Sequence, residues 1–194
     1  MRTTRVILET VNALVLGVWA GMLVFVGVAA ALTFPLMKRL DPTLAGFEEY
    51  SGEHWRLAAG SVMNPLFEAV ATAGWVGAAV VIVVQIALHN HLKKTSIGRW
   101  LRWRLLGVLI LAGVTFFANS TLWGSMVDLF EQSLSYARAG DHAGYRITLE
   151  EFDRLHDIAT PWMGAQFLSV VGFMVVSLVM AFRCWRPATP EGAR

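Results

Sequence analysis

Residues 10–37 read TVNALVLGVWAGMLVFVGVAAALTFPLM, 28 positions without a single Asp, Glu, Lys or Arg. An α-helix rises about 1.5 Å per residue and a bilayer core is roughly 30 Å thick, so about 20 apolar residues cross it. Working outward, three more charge-free runs follow at 69–92, 105–127 and 158–182, of 24, 23 and 25 residues. The pattern predicts an all-α membrane protein: a four-transmembrane-helix antiparallel bundle with helices over about 8–37, 65–88, 104–127 and 161–183. These form one domain, 1–186, and 187–194 is a short cytoplasmic tail.

Composition narrows the class. The chain has 194 residues, 56% hydrophobic and 15% charged, with one cysteine, against roughly 25% charged residues in soluble domains. Disorder needs low hydrophobicity and a disulfide scaffold needs many cysteines, so both are excluded. Arg2 and Arg5 ahead of the first run, with Ala29, Ala30 and Ala31 inside it, imitate a secretory signal. A signal's apolar region spans only about 7–15 residues, so this one is expected to be retained as a helix.

Basic residues set the expected sidedness. The N-terminal segment, the second connection and the C-terminal segment hold ten Lys and Arg, and the other two connections hold six. Positive residues near helix ends stay in the cytoplasm, so both termini are expected there, in a plasma membrane of bacterial inner-membrane type. Lys93, Lys94, Arg99, Arg102 and Arg104 would then face anionic lipid, making membrane lipid the expected partner and nucleic acid not one. Trp100, Trp103 and Trp185 mark the inner boundary, and Trp55, Trp123 and Trp162 the outer one. Cys184, beside Trp185, reads as an interfacial thiol.

Small residues at helical spacing suggest where helices approach, because van der Waals contact drives association in lipid. Gly17 with Gly21, Ala69 with Ala73 and Gly77, and Ala165 with Ser169 have that spacing. A homo-oligomer or other membrane subunits are compatible with it. In the first outer connection Asp41-Pro42 reads as a helix start, followed by Leu44, Phe47, Ser51, Trp55 and Ala58 on one side of a short amphipathic helix. In the second, Thr148 and Glu151 fit a capping box for another, with Pro161 restarting the chain.

Chemistry-bearing groups gather toward the outer side. His54 beside Glu49 and Glu53, and His156 beside Asp153 and Asp157, offer imidazole and carboxylate, but no HExxH or paired histidines at helical spacing accompany them. Asn64, Glu68, Asn119 and Gln166 fall at one depth, and with His156 and His54 they form a candidate outward-facing polar cavity. Intramembrane polar groups face a bundle interior or water. Interhelical hydrogen bonding is the plainer account of them, and the expected account of Asn12 and Gln85. Glu68 below the headgroups would be paired with His156.

Trp19-Ala20-Gly21 with Phe25, Pro35, Ala45-Gly46 and Phe152-x-x-Leu155-His156 resemble the transmembrane protein 205-like family of small four-helix membrane proteins. The resemblance implies the fold and leaves the activity undefined. Where that family carries a histidine in helix one and an asparagine after the later histidine, this chain has Asn12 and Met163. The first helix is also similar to that of copper-resistance D-like membrane proteins, without their additional histidines. With no nucleophile–base pair or phosphate loop, the expected function is a non-enzymatic accessory, scaffold or solute-handling component without a cofactor. The alternative is a metal- or haem-dependent membrane redox protein using the outer histidines.

Overall fold

A computed structural model describes residues 2–92 and 98–183, and their regular structure is entirely helical. The expected interfacial positions Lys93, Lys94, Cys184 and Trp185, and the 187–194 tail, lie outside the described residues, as do the side chains of Arg99 and Trp100. Helix α1 spans Arg2–Leu40, α2 His54–Leu92 and α3 Gly98–Phe117. A π-helical turn, Ala118–Trp123, joins α3 to α4, Gly124–Arg138, and α5 covers His142–Arg183. Four helical rods, with α3 to α4 counted as one, are long and apolar enough to cross a membrane.

The rods are longer than the charge-free runs. At 39 residues each, α1 and α2 reach about 58 Å, nearly twice a hydrocarbon core. Apolar surface is left on the outside: Leu14 is 64% exposed, Phe25 61%, Leu32 67% and Leu168 69%. Contiguous apolar surface of this kind costs a soluble domain solubility and suits contact with lipid.

Both expected connection helices are corrected. Residues 41–53 form turns instead of an amphipathic helix. Asp41 has φ +44° and its N–H donates to the Met37 carbonyl, which closes α1 in the left-handed manner of a helix C-terminus. Proline follows such stops because it cannot continue the helix, so Asp41-Pro42 ends one element and starts none. Trp55 and Ala58 belong to α2. In the second connection, only a turn at 139–141 separates α4 from α5, and α5 runs unbroken through Pro161. Asp141 Oδ1 accepts the Gly144 N–H at 2.9 Å, which makes Asp141 the N-cap three residues earlier in the turn. Thr148 instead donates its hydroxyl to the Gly144 carbonyl inside the helix.

Contacts fix the neighbours. Helix α1 packs along α2 and α5, and α3 packs on the same two helices. Along α1 and α2, Asn12 meets Gln85, Trp19 lies on Gly77 and Lys38 sits over Trp55. Leu16, Trp19, Leu23, Val81, Leu111, Val170 and Phe173 form the central apolar core. A second cluster of Phe47, Tyr50, Leu57, Phe130, Leu134, Ala137 and Tyr145 closes the loop end, where both turns lie. At the terminal end, Leu8 and Val11 pack on Val84, Leu88 and Leu92. Gly17 and Gly21 face open space: among the described residues nothing on another element lies within 4 Å of where a Cβ on either would stand.

Candidate functional site

Helix α1 turns Gly27, Ala30 and Ala31 toward the other helices in its loop-end half, and such small side chains leave the space between elements unfilled. Among the described residues the α1 and α4 backbones stay apart, with no Cα–Cα separation of 8 Å or less, and a cavity of about 610 Å³ lies between them and the flanking α2 and α5. That is a usual volume for a small-molecule site, of roughly 300–1,000 Å³. The α1 and α4 walls are wholly apolar, with Phe34 on one and Met126, Val127 and Phe130 on the other. Apart from the indoles of Trp55 and Trp123, the polar lining side chains come from α2 or α5: Arg56, Asn64, Asp153, His156 and Thr160.

Arg56 Nη2 donates to both Asp153 oxygens, at 2.9 and 3.2 Å, and so ties α2 to α5 at the cavity. Both side chains are substantially exposed, 34% and 52%, so the pair contributes at most about 1 kcal/mol. Its value is positional. His156, three residues beyond Asp153 on the same helix side, is exposed and lies beside Phe152 with ring centroids 6.1 Å apart.

One turn farther along three helices from Phe67, Trp123 and Met163 is a buried polar layer. Asn119 donates Nδ2 to the Ala71 carbonyl at 2.9 Å, and Gln166 reaches Thr115 Oγ1 at 3.5 Å. A Cβ on Gly74 would stand 3.1 Å from Asn119 Nδ2 and 3.4 Å from Gln166 Nε2, so a side chain there would require the Asn119 amide to give by a few tenths of an ångström. Asn119 sits in the π-helical turn, a feature often found at functional sites. In that turn Ser120 and Thr121, and at the start of α4 Ser125, donate their hydroxyls to carbonyls four residues back, the competition with backbone bonding that bends helices.

The six candidate residues therefore separate by layer. Asn64 and His156 line the cavity, while Asn119 and Gln166 meet one turn below it. Glu68 is exposed on the outer side of α2 and does not line the cavity, so the expected Glu68–His156 pair is absent from its walls. His54 belongs to the loop-end closure: Nδ1 accepts the Leu44 N–H at 3.2 Å and Nε2 donates to the Tyr50 carbonyl at 2.9 Å. With both ring nitrogens engaged, it keeps no lone pair for a metal. Tyr50 packs edge-on against Tyr145, and burial, followed by that neighbour's hydroxyl, pushes its phenol above the ordinary tyrosine range.

Sequence reasoning missed a second polar region at the terminal end. Arg104, expected to face lipid, is 3% exposed and paired with Glu9, Nη1 to Oε1 at 2.7 Å and Nη2 to Oε2 at 2.9 Å. Beside it Gln85 Nε2 donates to Asn12 Oδ1 at 2.8 Å, the interhelical bond expected of that pair, although made to each other. The legible signal was the opposite charge of Glu9 and Arg104 at the borders of their charge-free runs. Among the described residues no three His, Cys, Asp or Glu side chains gather to hold a metal ion.

Comparison with protein-family models, with curated proteins and with solved structures finds no match for this chain.

Proposed function

We propose that this is a multi-pass membrane protein, an antiparallel four-helix bundle with both termini cytoplasmic, that holds an amphipathic small molecule in its loop-end cavity. It acts as a non-enzymatic solute-handling or accessory component of a bacterial inner membrane. The contact register supports the antiparallel arrangement, since contacts descend along α2 as they ascend along α1, and descend along α5 as they ascend from α3 into α4. The ten-to-six division of basic residues supports the sidedness and puts the loop end outside. Reporter fusions at Ser96 and Ala143 are expected to read cytoplasmic and external; one compartment for both would overturn the topology.

The observation that carries the ligand reading is the division of the cavity walls. A guest touching α1 and α4 meets apolar side chains, whereas one touching α2 and α5 meets an ion pair, an amide, an imidazole and a hydroxyl. Pockets that orient a guest combine apolar walls with a few convergent polar groups in this way. Ala30→Phe adds a ring on the apolar wall and leaves those polar residues unchanged.

Native mass spectrometry of protein extracted in mild detergent should find a bound amphiphile on the wild type and about tenfold less on Ala30→Phe, a change of roughly 1.4 kcal/mol. Equal occupancy of both proteins, or none on either, would sink the cavity reading. The redox alternative would draw on the outer histidines, of which His54 has both nitrogens spent on the loop and His156 lines the cavity. A Soret band or stoichiometric metal in the same preparation would reinstate it.

A further inference from the structure

Seven buried side-chain nitrogen and oxygen atoms have no hydrogen-bond partner among the described residues, and five of them lie toward the terminal end. They are Arg5 Nε, Gln85 Oε1, His89 Nδ1, Arg104 Nε and Ser177 Oγ. Proteins rarely leave buried polar atoms unpaired, so a concentration of them in one place calls for something that supplies the missing partners.

Helical spacing brings these residues together. Arg5, Glu9 and Asn12 follow one another on one side of α1, and Gln85 and His89 on one side of α2, joined by the Asn12–Gln85 bond. Arg104 enters from α3 through Glu9. Phe173 of α5 packs at Gly107, and Ser177 and Arg104 each lie one turn farther toward the terminal end.

Charge decides what the partner is. Both Glu9 oxygens are taken by Arg104, and the described residues give half-buried Arg5 no ion pair. Two guanidinium Nε–H groups and a hydroxyl thus remain as donors against one amide oxygen, Gln85 Oε1, that only accepts, with His89 Nδ1 taking either role by tautomer and the one carboxylate already paired. Arginine's fork of donors matches the oxygens of a phosphate group. We propose that the terminal end binds a phosphate anion, with Arg5 its principal contact and Arg104 Nε a second donor. The phosphate belongs either to an anionic lipid headgroup or to the free ion.

Detergent-solubilised full chain is titrated with dihexanoyl phosphatidylglycerol, dihexanoyl phosphatidylcholine and inorganic phosphate, reading the melting temperature and tryptophan fluorescence. A response to phosphatidylglycerol beyond that to phosphatidylcholine identifies a lipid headgroup, and a response to inorganic phosphate alone identifies the free ion; either supports the site. Arg5→Gln should weaken the response about tenfold or more, since a charge-assisted bond is lost. Arg102→Gln, which removes an exposed cation from the same end, should leave it intact. Equal weakening in both variants would show diffuse attraction, and silence in every arm would show that water alone fills the gap. Each of those two results overturns the proposal.

Discussion

Glu9→Ala is expected to destabilise the protein by about 3–5 kcal/mol, because it strands Arg104 as an unpaired charge between helices. The guanidinium is 4% exposed and the carboxylate 11%, so bulk water has little access with which to replace the lost partner. Arg104→Met strands Glu9 in the same way and should cost a similar amount. The informative protein is the double variant Glu9→Leu with Arg104→Met. Replacing a buried ion pair by apolar residues of similar volume is often neutral or stabilising, so the double variant should recover most of either loss. Unfolding in detergent, followed by near-ultraviolet circular dichroism, measures all four proteins. A double variant no better than Glu9→Ala would show that the pair does more than neutralise itself.

That pair also shows which part of the molecule was readable beforehand. The charge-free runs located every rod, because a span must be apolar along about 20 residues whatever it packs against. The element ends were misjudged where one residue type serves two purposes. Asp41 is a good N-cap, yet it also tolerates the left-handed conformation that closes α1, and only the tertiary position of Phe47 and Tyr50 decides between them. Likewise Thr148 and Glu151 have capping-box spacing, but Asp141 already caps the helix earlier. For the candidate site, sequence depth alone placed Asn119 and Gln166 at one level, where they meet at Gly74. Depth says nothing of azimuth, however, and Glu68 proves to be on the outer side of its helix. The cavity was not legible because it arises from what α1 lacks at Gly27, Ala30 and Ala31.

Trp19→Ala is expected to cost about 3–5 kcal/mol, the usual loss for truncating a fully buried large side chain. Trp19 is 2% exposed and lies within the central core, with its ring face against Gly77. A Cβ at position 77 would stand 3.0 Å from Trp19 Cε3, so the glycine and the indole are complementary in shape. Gly77→Leu alone should therefore overpack the layer and cost about 1–3 kcal/mol. Together, Trp19→Ala and Gly77→Leu move volume from α1 to α2, so their combined loss should fall short of the sum by roughly 0.5–3 kcal/mol. Strict additivity in the same unfolding measurement would show that the two helices do not share this contact. Trp19→Phe separates volume from polarity. Among the described residues Trp19 Nε1 has no hydrogen-bond partner, so the phenyl ring forfeits only part of the contact area and should cost less than alanine. If phenylalanine proved as damaging as alanine, a bond to the indole N–H would have to be holding the layer, and shape alone would not account for the approach of α1 to α2.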